Sequence, residues 1–251
     1  MVVFLHGLGG GRWSWGLHGE ASVPEGIASQ VMRSLWERGK KAVGLALAGL
    51  GHDGSELSPR SQEGITPGHY AQQLEETLRA LGLWDGKRIV VIGHSIGAAA
   101  AWEFGSLTAK RSLRGRLPRL AVIALSPVRA ITESRLFTFG CHLSAAAINA
   151  GRWLSTPLQP IMRPLRQRMA ALAASLKGLA QQGDLTDTLL EIEGVVLVRE
   201  RDWVVRRGLP GALRKARSRW PVTILPGVGH DLLALPTIGL ILAAQITKFF
   251  G

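Results

Sequence analysis

A serine, an aspartate and a histidine in this chain each follow a short apolar run, and together they could carry out nucleophilic chemistry. Ser95 is the central residue of a Gly-His-Ser-Ile-Gly pentapeptide, and Asp202 and His230 follow two later runs. A serine hydroxyl is a weak nucleophile at neutral pH. It needs a base within hydrogen-bond reach, and the base needs a third group that fixes its tautomer. The three residue types match those three roles.

The pentapeptide lies between a predicted strand and a predicted helix. Residues 89–92 are a continuous apolar, β-branched run, typical of a strand covered on both faces, and residues 98–101 are four alanines, which favour a helix. The glycines two residues to either side of Ser95 permit a turn that a Cβ would obstruct. Such a turn holds the hydroxyl at the carboxyl end of a sheet, beside a helix N-terminus that attracts negative charge.

A glycine-rich loop after the first predicted strand could supply backbone donors to a developing oxyanion. Residues 2–5 are apolar, and the sequence His-Gly-Leu-Gly-Gly-Gly follows them. We expect the N–H of Leu8 to pair with the N–H of Ile96, the residue after the serine, as an oxyanion hole. His6 and His94 adjoin these two donors and are interpreted as structural.

Other polar residues compete for the roles of acid and base. Glu200, two residues before Asp202, is the strongest rival for the acid. Asp231 directly follows His230 and is expected to point elsewhere, and His52 follows an earlier strand, away from the expected position of the base. No cluster of cysteines, histidines or carboxylates has metal-ligand spacing, so neither a metal nor a cofactor is expected. We therefore predict Asp202 as the acid.

The apolar runs alternate with helical segments, which predicts a mostly parallel, doubly wound α/β sheet. Strands are predicted at residues 2–5, 42–47, 89–92, 120–125, 195–198 and 222–225. Helices are predicted at residues 23–38, 70–81 and 238–250. From residue 129 to residue 194 no strand-like run occurs, and residues 162–179 have a helical composition. We expect residues 129–194 to form a helical cap on a core made of residues 1–128 and 195–251.

The composition is that of a globular protein. The 251 residues are 46% hydrophobic and 19% charged, which suits one α/β domain with an insertion. The single cysteine, Cys141, excludes an internal disulfide, and no signal sequence is recognisable, so we expect a cytoplasmic protein. The uncharged residues 232–247 contain Pro236 and are too few to span a membrane.

The net charge of +12 is concentrated in two basic groups. They consist of Lys110, Arg111, Arg114, Arg116 and Arg119, and of Arg206, Arg207, Arg214, Lys215, Arg217 and Arg219. Neither group is interleaved with aromatic residues, so no nucleic-acid partner is expected. We interpret both as solvated surfaces, with contact to an anionic membrane as the alternative. The cap arginines are interpreted in the same way, with an acidic substrate as their alternative.

Over nearly its whole length the chain resembles the α/β-hydrolase fold superfamily, in particular its serine esterase and lipase-like branch. The matching pieces are His6-Gly7, residues 49–55, residues 93–97, Asp202 and Gly229-His230. The resemblance implies Ser95 as nucleophile, His230 as base, Asp202 as orienting acid, and Leu8 and Ile96 as oxyanion-hole amides. In three respects the sequence departs from the family. It begins on a segment similar to the family's third strand, so we expect the first antiparallel hairpin to be absent, with either a minimal protein or a misassigned start as the reason. Glu200 stands where glycine is frequent, and Ala98 replaces a common second glycine after the turn.

These residues predict a serine hydrolase that cleaves a small-molecule carboxylic ester or thioester through an acyl-enzyme intermediate, without a cofactor. A carbon–carbon bond hydrolase or a cofactor-free haloperoxidase-like enzyme would use the same triad. Serine rather than aspartate at position 95 argues against the dehalogenase and epoxide-hydrolase branches. The alternative of another class is a non-catalytic binding or membrane-associating member of the fold. The intact triad argues against that alternative.

Overall fold

Six parallel strands form one sheet at the centre of the protein. The computed structural model describes residues 1–8, 10–16, 26–52, 55, 64–84, 88–111, 119–128, 135–154, 159–180, 192–202, 204–205 and 220–250. The strands are β1 (Val2–Leu5), β2 (Gly44–Leu47), β3 (Arg88–His94), β4 (Arg119–Leu125), β5 (Glu193–Arg201) and β6 (Val222–Val228). Their order is β2-β1-β3-β4-β5-β6, with every neighbouring pair parallel. The predicted α/β sheet is confirmed.

Helices cover both faces of this sheet. They are α1 (Ile27–Glu37), α2 (Pro67–Ala80), α3 (Ile96–Arg111), α4 (Arg135–Leu154), α5 (Gln159–Ala180) and α6 (Ile238–Phe250). Helices α1 and α6 pack on one face, and α2 and α3 pack on the other. Val90 and Ile92 of β3 point to the first face, while Ile89 and Val91 point to the second. Because both faces are buried, β3 is a continuous apolar run rather than an alternating one.

The strand order reverses direction between β1 and β3. After β1 the chain crosses to β2 on one side, and from β3 onward it continues on the other side. The loops that leave β1 and β3 therefore diverge at the carboxyl edge of the sheet. In open α/β sheets a crevice at such a point is where ligands bind. The loop at residues 6–8 and the turn at Ser95 lie here.

Several elements begin or end a few residues away from their predicted limits. Helix α2 begins at Pro67 because Thr66 caps it, its hydroxyl accepting the backbone N–H of His69. Strand β5 continues to Arg201, beyond the apolar run, because its polar end still pairs with β6 through the backbone. Residues 23–25 of the first predicted helix and the stretches 112–118 and 206–219 of the basic groups lie outside the described residues.

Between β4 and β5 the described helices are α4 and α5, inside the segment predicted as a cap. Residues 129–134, 155–158 and 181–191 of that segment lie outside the described residues. A Cβ on Gly151 of α4 would contact Met169 of α5, whereas Cys141 of α4 shares a cavity with Leu176 and Leu179 of α5. The two helices are therefore antiparallel. None of the described helices is long and apolar enough to cross a membrane.

Helix α5 is fixed to the core at the start of α2. The N–H of Ile65 donates to the carbonyl of Ala174 at 2.8 Å, and the hydroxyls of Tyr70 and Ser175 lie 3.3 Å apart. Gly178 packs against the backbone of Ile65 so closely that a Cβ there would overlap the Ile65 carbonyl. The contact between these helices is thus made by backbone as well as by side chains.

Candidate active site

Ser95 lies in a left-handed turn between β3 and α3, with a φ of 57°. A Cβ on Gly93 would overlap the backbone of Gly97. A Cβ on Gly97 would lie 2.5 Å from the carbonyl oxygens of Leu5 and His6. Both glycines are therefore required for α3 to approach β3 and β1 this closely. A positive φ at a residue other than glycine is strained, and such strain is concentrated at functional sites.

The structure brings Ser95, His230 and Asp202 into one hydrogen-bonded chain. His230 Nε2 lies 2.9 Å from Ser95 Oγ, and His230 Nδ1 lies 3.1 Å from both carboxylate oxygens of Asp202. A carboxylate only accepts hydrogen bonds, so Nδ1 carries the proton and Nε2 is free to accept the serine proton. Glu200, the rival acid, is exposed. Asp231 accepts the N–H of Leu233 instead.

Asp202 is buried and held as a charged carboxylate. Its Oδ1 accepts the N–H groups of Val204 and Val205, each at 2.9 Å. Burial by itself would raise the pKa of Asp202. The hydrogen bonds from His230 and from the Val205 amide, together with the nearby Ser126 hydroxyl, outweigh the effect of burial and lower the pKa to about 2. The group facing His230 Nδ1 is therefore an anion at neutral pH.

Strand β5 also holds the loop that carries His230. Arg199 Nη1 donates to the carbonyl of Val228 at 2.6 Å, and the N–H of Gly229 donates to the carbonyl of Arg201 at 3.1 Å. Gly229 has a φ of 106°. Sequence reasoning missed Arg199, because its bond depends on the shift in β5–β6 register between Arg199 and Arg201. No pattern along the chain reveals that shift.

His94 contacts the backbone of His230. Its Nε2–H donates to the His230 carbonyl at 3.3 Å, and the two rings are 5.4 Å apart. Burial, together with the neighbouring His230, lowers the pKa of His94, so its ring is neutral at neutral pH. The hydrogen bond from His94 therefore joins the turn at Ser95 to the loop that carries His230.

The loop after β1 carries Leu8, a predicted oxyanion donor, and passes beside Ser95, since a Cβ on Gly7 would lie 3.2 Å from the Ser95 Cβ. His6 Nδ1–H donates to the carbonyl of Gly7 at 2.8 Å, and His6 Nε2 accepts the N–H of Gly49 at 2.9 Å. Because a trans peptide directs its C=O and N–H oppositely, the N–H of Leu8 points away from His6. The N–H of Ile96 belongs to the first turn of α3. Among the described residues neither amide has a hydrogen-bond acceptor.

A cavity of about 540 Å³ opens beside Ser95 and His230. Its walls are mostly apolar and come from the loop after β1, from α4 and α5, and from the loops after β5 and β6. They include Leu8, Trp13, Cys141, Leu176, Leu179, Val204 and Leu233. A cavity of this size and character suits a small organic ligand. Within the described part of the chain, no group of three or more His, Cys, Asp or Glu could hold a metal ion.

A parallel sheet with a serine on a strained strand–helix turn, and with an acid and a histidine after its last two strands, defines the class of α/β-hydrolase folds. The comparison with protein families agrees. The profile described as the alpha/beta hydrolase family matches residues 2–237. The chain belongs to this family.

Solved structures show the same fold at low sequence identity. An esterase from Thermogutta terrifontis has a TM-score of 0.69 and 19% identity, covering 100% of this chain and 90% of that one. E-2-(acetamidomethylene)succinate hydrolase has a TM-score of 0.65 and 18% identity, covering 100% and 91%. RedJ, a thioesterase of the prodiginine pathway in Streptomyces coelicolor, has a TM-score of 0.62 and 17% identity, covering 99% and 84%. No curated protein sequence matches the chain.

Proposed function

We propose that this protein is a serine hydrolase that cleaves a carboxylic ester or thioester of a small molecule. The observation that carries the proposal is the 2.9 Å separation of Ser95 Oγ from His230 Nε2, with Asp202 bonded to the other ring nitrogen. In this role Ser95 is the nucleophile, His230 the base and Asp202 the orienting acid. Residues 129–194 are the cap that closes the substrate cavity over them.

The first half of the reaction forms an acyl-enzyme. Ser95 Oγ attacks the substrate carbonyl while its proton passes to His230 Nε2, and Asp202 stabilises the resulting imidazolium. The carbonyl oxygen becomes an oxyanion that accepts hydrogen bonds from the N–H groups of Leu8 and Ile96. Each such donor contributes on the order of 100–1,000-fold in rate. His230 Nε2 then protonates the leaving alcohol or thiol as its bond to the carbonyl carbon breaks, which leaves the acyl group on Ser95 Oγ.

The second half releases the acid. Water enters, His230 Nε2 takes one of its protons, and the hydroxide attacks the acyl carbonyl in the same oxyanion hole. The proton returns to Ser95 Oγ as the ester bond to the enzyme breaks, so the enzyme is regenerated without an external reagent. Two of the structural neighbours are named as an esterase and a thioesterase, which agrees with this substrate class.

Labelling with a fluorophosphonate probe, which phosphonylates an activated serine, tests the proposal. We expect the wild-type protein to be labelled and Ser95→Ala to remain unlabelled. A series of p-nitrophenyl esters then measures which acyl lengths are cleaved, and a vinylogous diketone tests for carbon–carbon bond cleavage. A folded wild-type protein that neither reacts with the probe nor cleaves any ester would overturn the proposal, and turnover of the diketone alone would favour the carbon–carbon hydrolase.

A further inference from the structure

Helix α4 has an apolar face on the side turned away from the cavity. Cys141 and Ala145 are buried, and Cys141 lines the cavity beside Ser95. Phe139 and Leu143 are 65% and 60% exposed. Residues two positions apart on a helix point about 200° away from each other. Phe139 and Leu143 therefore project outward from the same segment that closes the cavity.

This outward face continues along the helix as a stripe. Its members are exposed and recur at the three- and four-residue spacing of one helix side. We call Phe139, Leu143, Ala146, Ala147 and Ala150 the α4 stripe. No charged residue stands between Arg135 and Arg152. A surface helix of a globular protein ordinarily exposes its charged face, so the stripe is the reverse of the usual arrangement.

The same two helices carry only positive charge. Residues 135–180 contain six basic and no acidic side chains, which gives this segment a net charge of +6. The basic residues are Arg135, Arg152, Arg163, Arg166, Arg168 and Lys177. Arg168 is exposed on α5, close in sequence to Leu165, which is 47% exposed. Exposed apolar and cationic side chains thus occur together on the helices that cover the cavity.

We propose that the α4 stripe, together with Arg168 of α5, binds the surface of an anionic lipid bilayer. Phenylalanine and leucine side chains of an interfacial helix enter the boundary between headgroups and acyl chains, and nearby cations are attracted to anionic headgroups. A second copy of this chain is a poorer occupant. It would bring together two segments that each have a net charge of +6, and like charges in an interface are strongly unfavourable.

Binding in this way would bring the proposed reaction next to a lipid phase. Cys141 borders the cavity and the stripe lies on the opposite side of the same helix, so about one helix diameter, roughly 10–12 Å, separates the cavity from the bilayer. Substrates that partition into lipid would then have a short path to Ser95. This last step rests on the proposed function, whereas the binding itself does not.

Sedimentation of the full-length protein with vesicles tests the binding directly. The vesicles are made of ether-linked phosphatidylcholine, with and without ether-linked phosphatidylglycerol, because these lipids contain no carboxylic ester that the proposed reaction could cleave. Binding is expected only with phosphatidylglycerol, and it should be lost at 1 M salt, where the screening length falls to about 3 Å. Phe139→Ser/Leu143→Ser should weaken binding about tenfold or more, because less apolar surface leaves water. Arg168→Glu should weaken it about tenfold.

Two matched controls distinguish binding through the α4 stripe from nonspecific binding of the protein to vesicles. Leu240→Ser removes a leucine that is 55% exposed on α6, and Lys40→Glu/Lys41→Glu reverses charge after α1; both should bind like wild type. The proposal is overturned if wild type fails to bind at low salt, or if the stripe variant binds as well as wild type. It is also overturned if light scattering shows a wild-type dimer that the stripe variant abolishes, since the stripe would then be a self-interface.

Discussion

The proton that the proposed reaction moves must leave Ser95 and arrive at His230 Nε2, so the tautomer of His230 decides whether catalysis can begin. Asp202 fixes that tautomer because its carboxylate, with a pKa of about 2, can only accept from Nδ1. In Asp202→Asn the amide NH₂ could donate to Nδ1 and leave the proton on Nε2. We expect kcat to fall by roughly 10⁴. The rate of ester hydrolysis at saturating substrate measures kcat for the variant and for wild type.

Glu200→Gln is the matched control, since it makes the same chemical change two residues away on an exposed side chain. Its kcat should stay within about twofold of wild type, because exposed substitutions rarely disturb a site they do not contact. A large loss in Glu200→Gln together with near-normal turnover in Asp202→Asn would show that the acid has been assigned to the wrong residue.

We expect Arg199 to be a positioning residue, because it donates to the backbone of the loop that carries His230. Arg199→Met keeps the aliphatic stem but loses the donor to the Val228 carbonyl. We expect kcat to fall about ten- to a hundredfold with little change in KM, since small displacements of a reacting group are costly and Arg199 does not line the cavity. Steady-state kinetics separate the two constants.

Arg201→Met removes the same charge from an exposed position on the same strand and leaves its backbone bond to Gly229 in place. It should behave like wild type, and Arg199→Lys, which restores a donor, should recover part of the lost kcat. An equal fall in kcat in Arg199→Met and Arg201→Met, or a change confined to KM, would contradict the positioning role.

At the scale of elements, α5 is anchored by the fit of its backbone against the start of α2. In Gly178→Ala the new Cβ would overlap the Ile65 carbonyl, so the helix must shift. We expect the free energy of unfolding to fall by about 1–3 kcal/mol. Gly140→Ala on α4 is the control, since a Cβ there meets nothing within 4 Å. It should raise the same free energy by roughly 0.5–1 kcal/mol.

Urea unfolding of both alanine variants measures these changes, provided that the slope of free energy against urea stays the same. If Gly178→Ala is as stable as Gly140→Ala, the close contact of α5 with Ile65 is not maintained in solution. The comparison uses one chemical change on two neighbouring helices, so a general effect of alanine on helix propensity cannot explain a difference of sign.

Sequence reasoning predicted the elements whose hydrophobic pattern matches their burial in the fold. For residues 89–92 of β3 and the alanines of α3, the local pattern agrees with the fold, since both runs are fully buried. Helix α4 was not predicted as a separate element, because no Asp, Glu, Lys or Arg stands between Arg135 and Arg152 to mark a polar side of a helix. Ser95, Asp202 and His230 could be proposed from the sequence because parallel strands deliver their carboxyl ends to one edge.

The sequence could not predict hydrogen bonds in which a side chain reaches the backbone of another strand or loop. The bond from Arg199 to the Val228 carbonyl requires a register shift, and the bond from His94 to the His230 carbonyl requires two loops to meet. Neither follows from the spacing of residues along the chain. The sequence therefore predicted which groups could react, while the structure adds the residues that hold them in place.

On the scale of the whole molecule, the cavity beside Ser95 lies between the carboxyl edge of the sheet and helices α4 and α5. The sheet supplies Ser95 and His230, and α5 supplies Leu176 and Leu179 as facing walls. Leu176→Trp should fill part of the cavity and leave the reacting groups unchanged. We expect kcat/KM for a p-nitrophenyl octanoate to fall about tenfold or more, because contacts with each methylene in an apolar pocket contribute strongly to discrimination. The acetate should be cleaved nearly as fast as by wild type.

Leu165→Trp provides the control on the same helix, since Leu165 is 47% exposed and is not among the residues that border the cavity. Its chain-length profile should match that of wild type. If both tryptophan variants shift the profile alike, then substitution anywhere on α5 alters the site and Leu176 has no special part in selecting the acyl chain. A third outcome is that Leu176→Trp alone lowers kcat/KM, and lowers it equally for the acetate and the octanoate. The cavity beside Leu176 would then hold the leaving group or the reacting carbonyl, and the acyl chain would extend elsewhere.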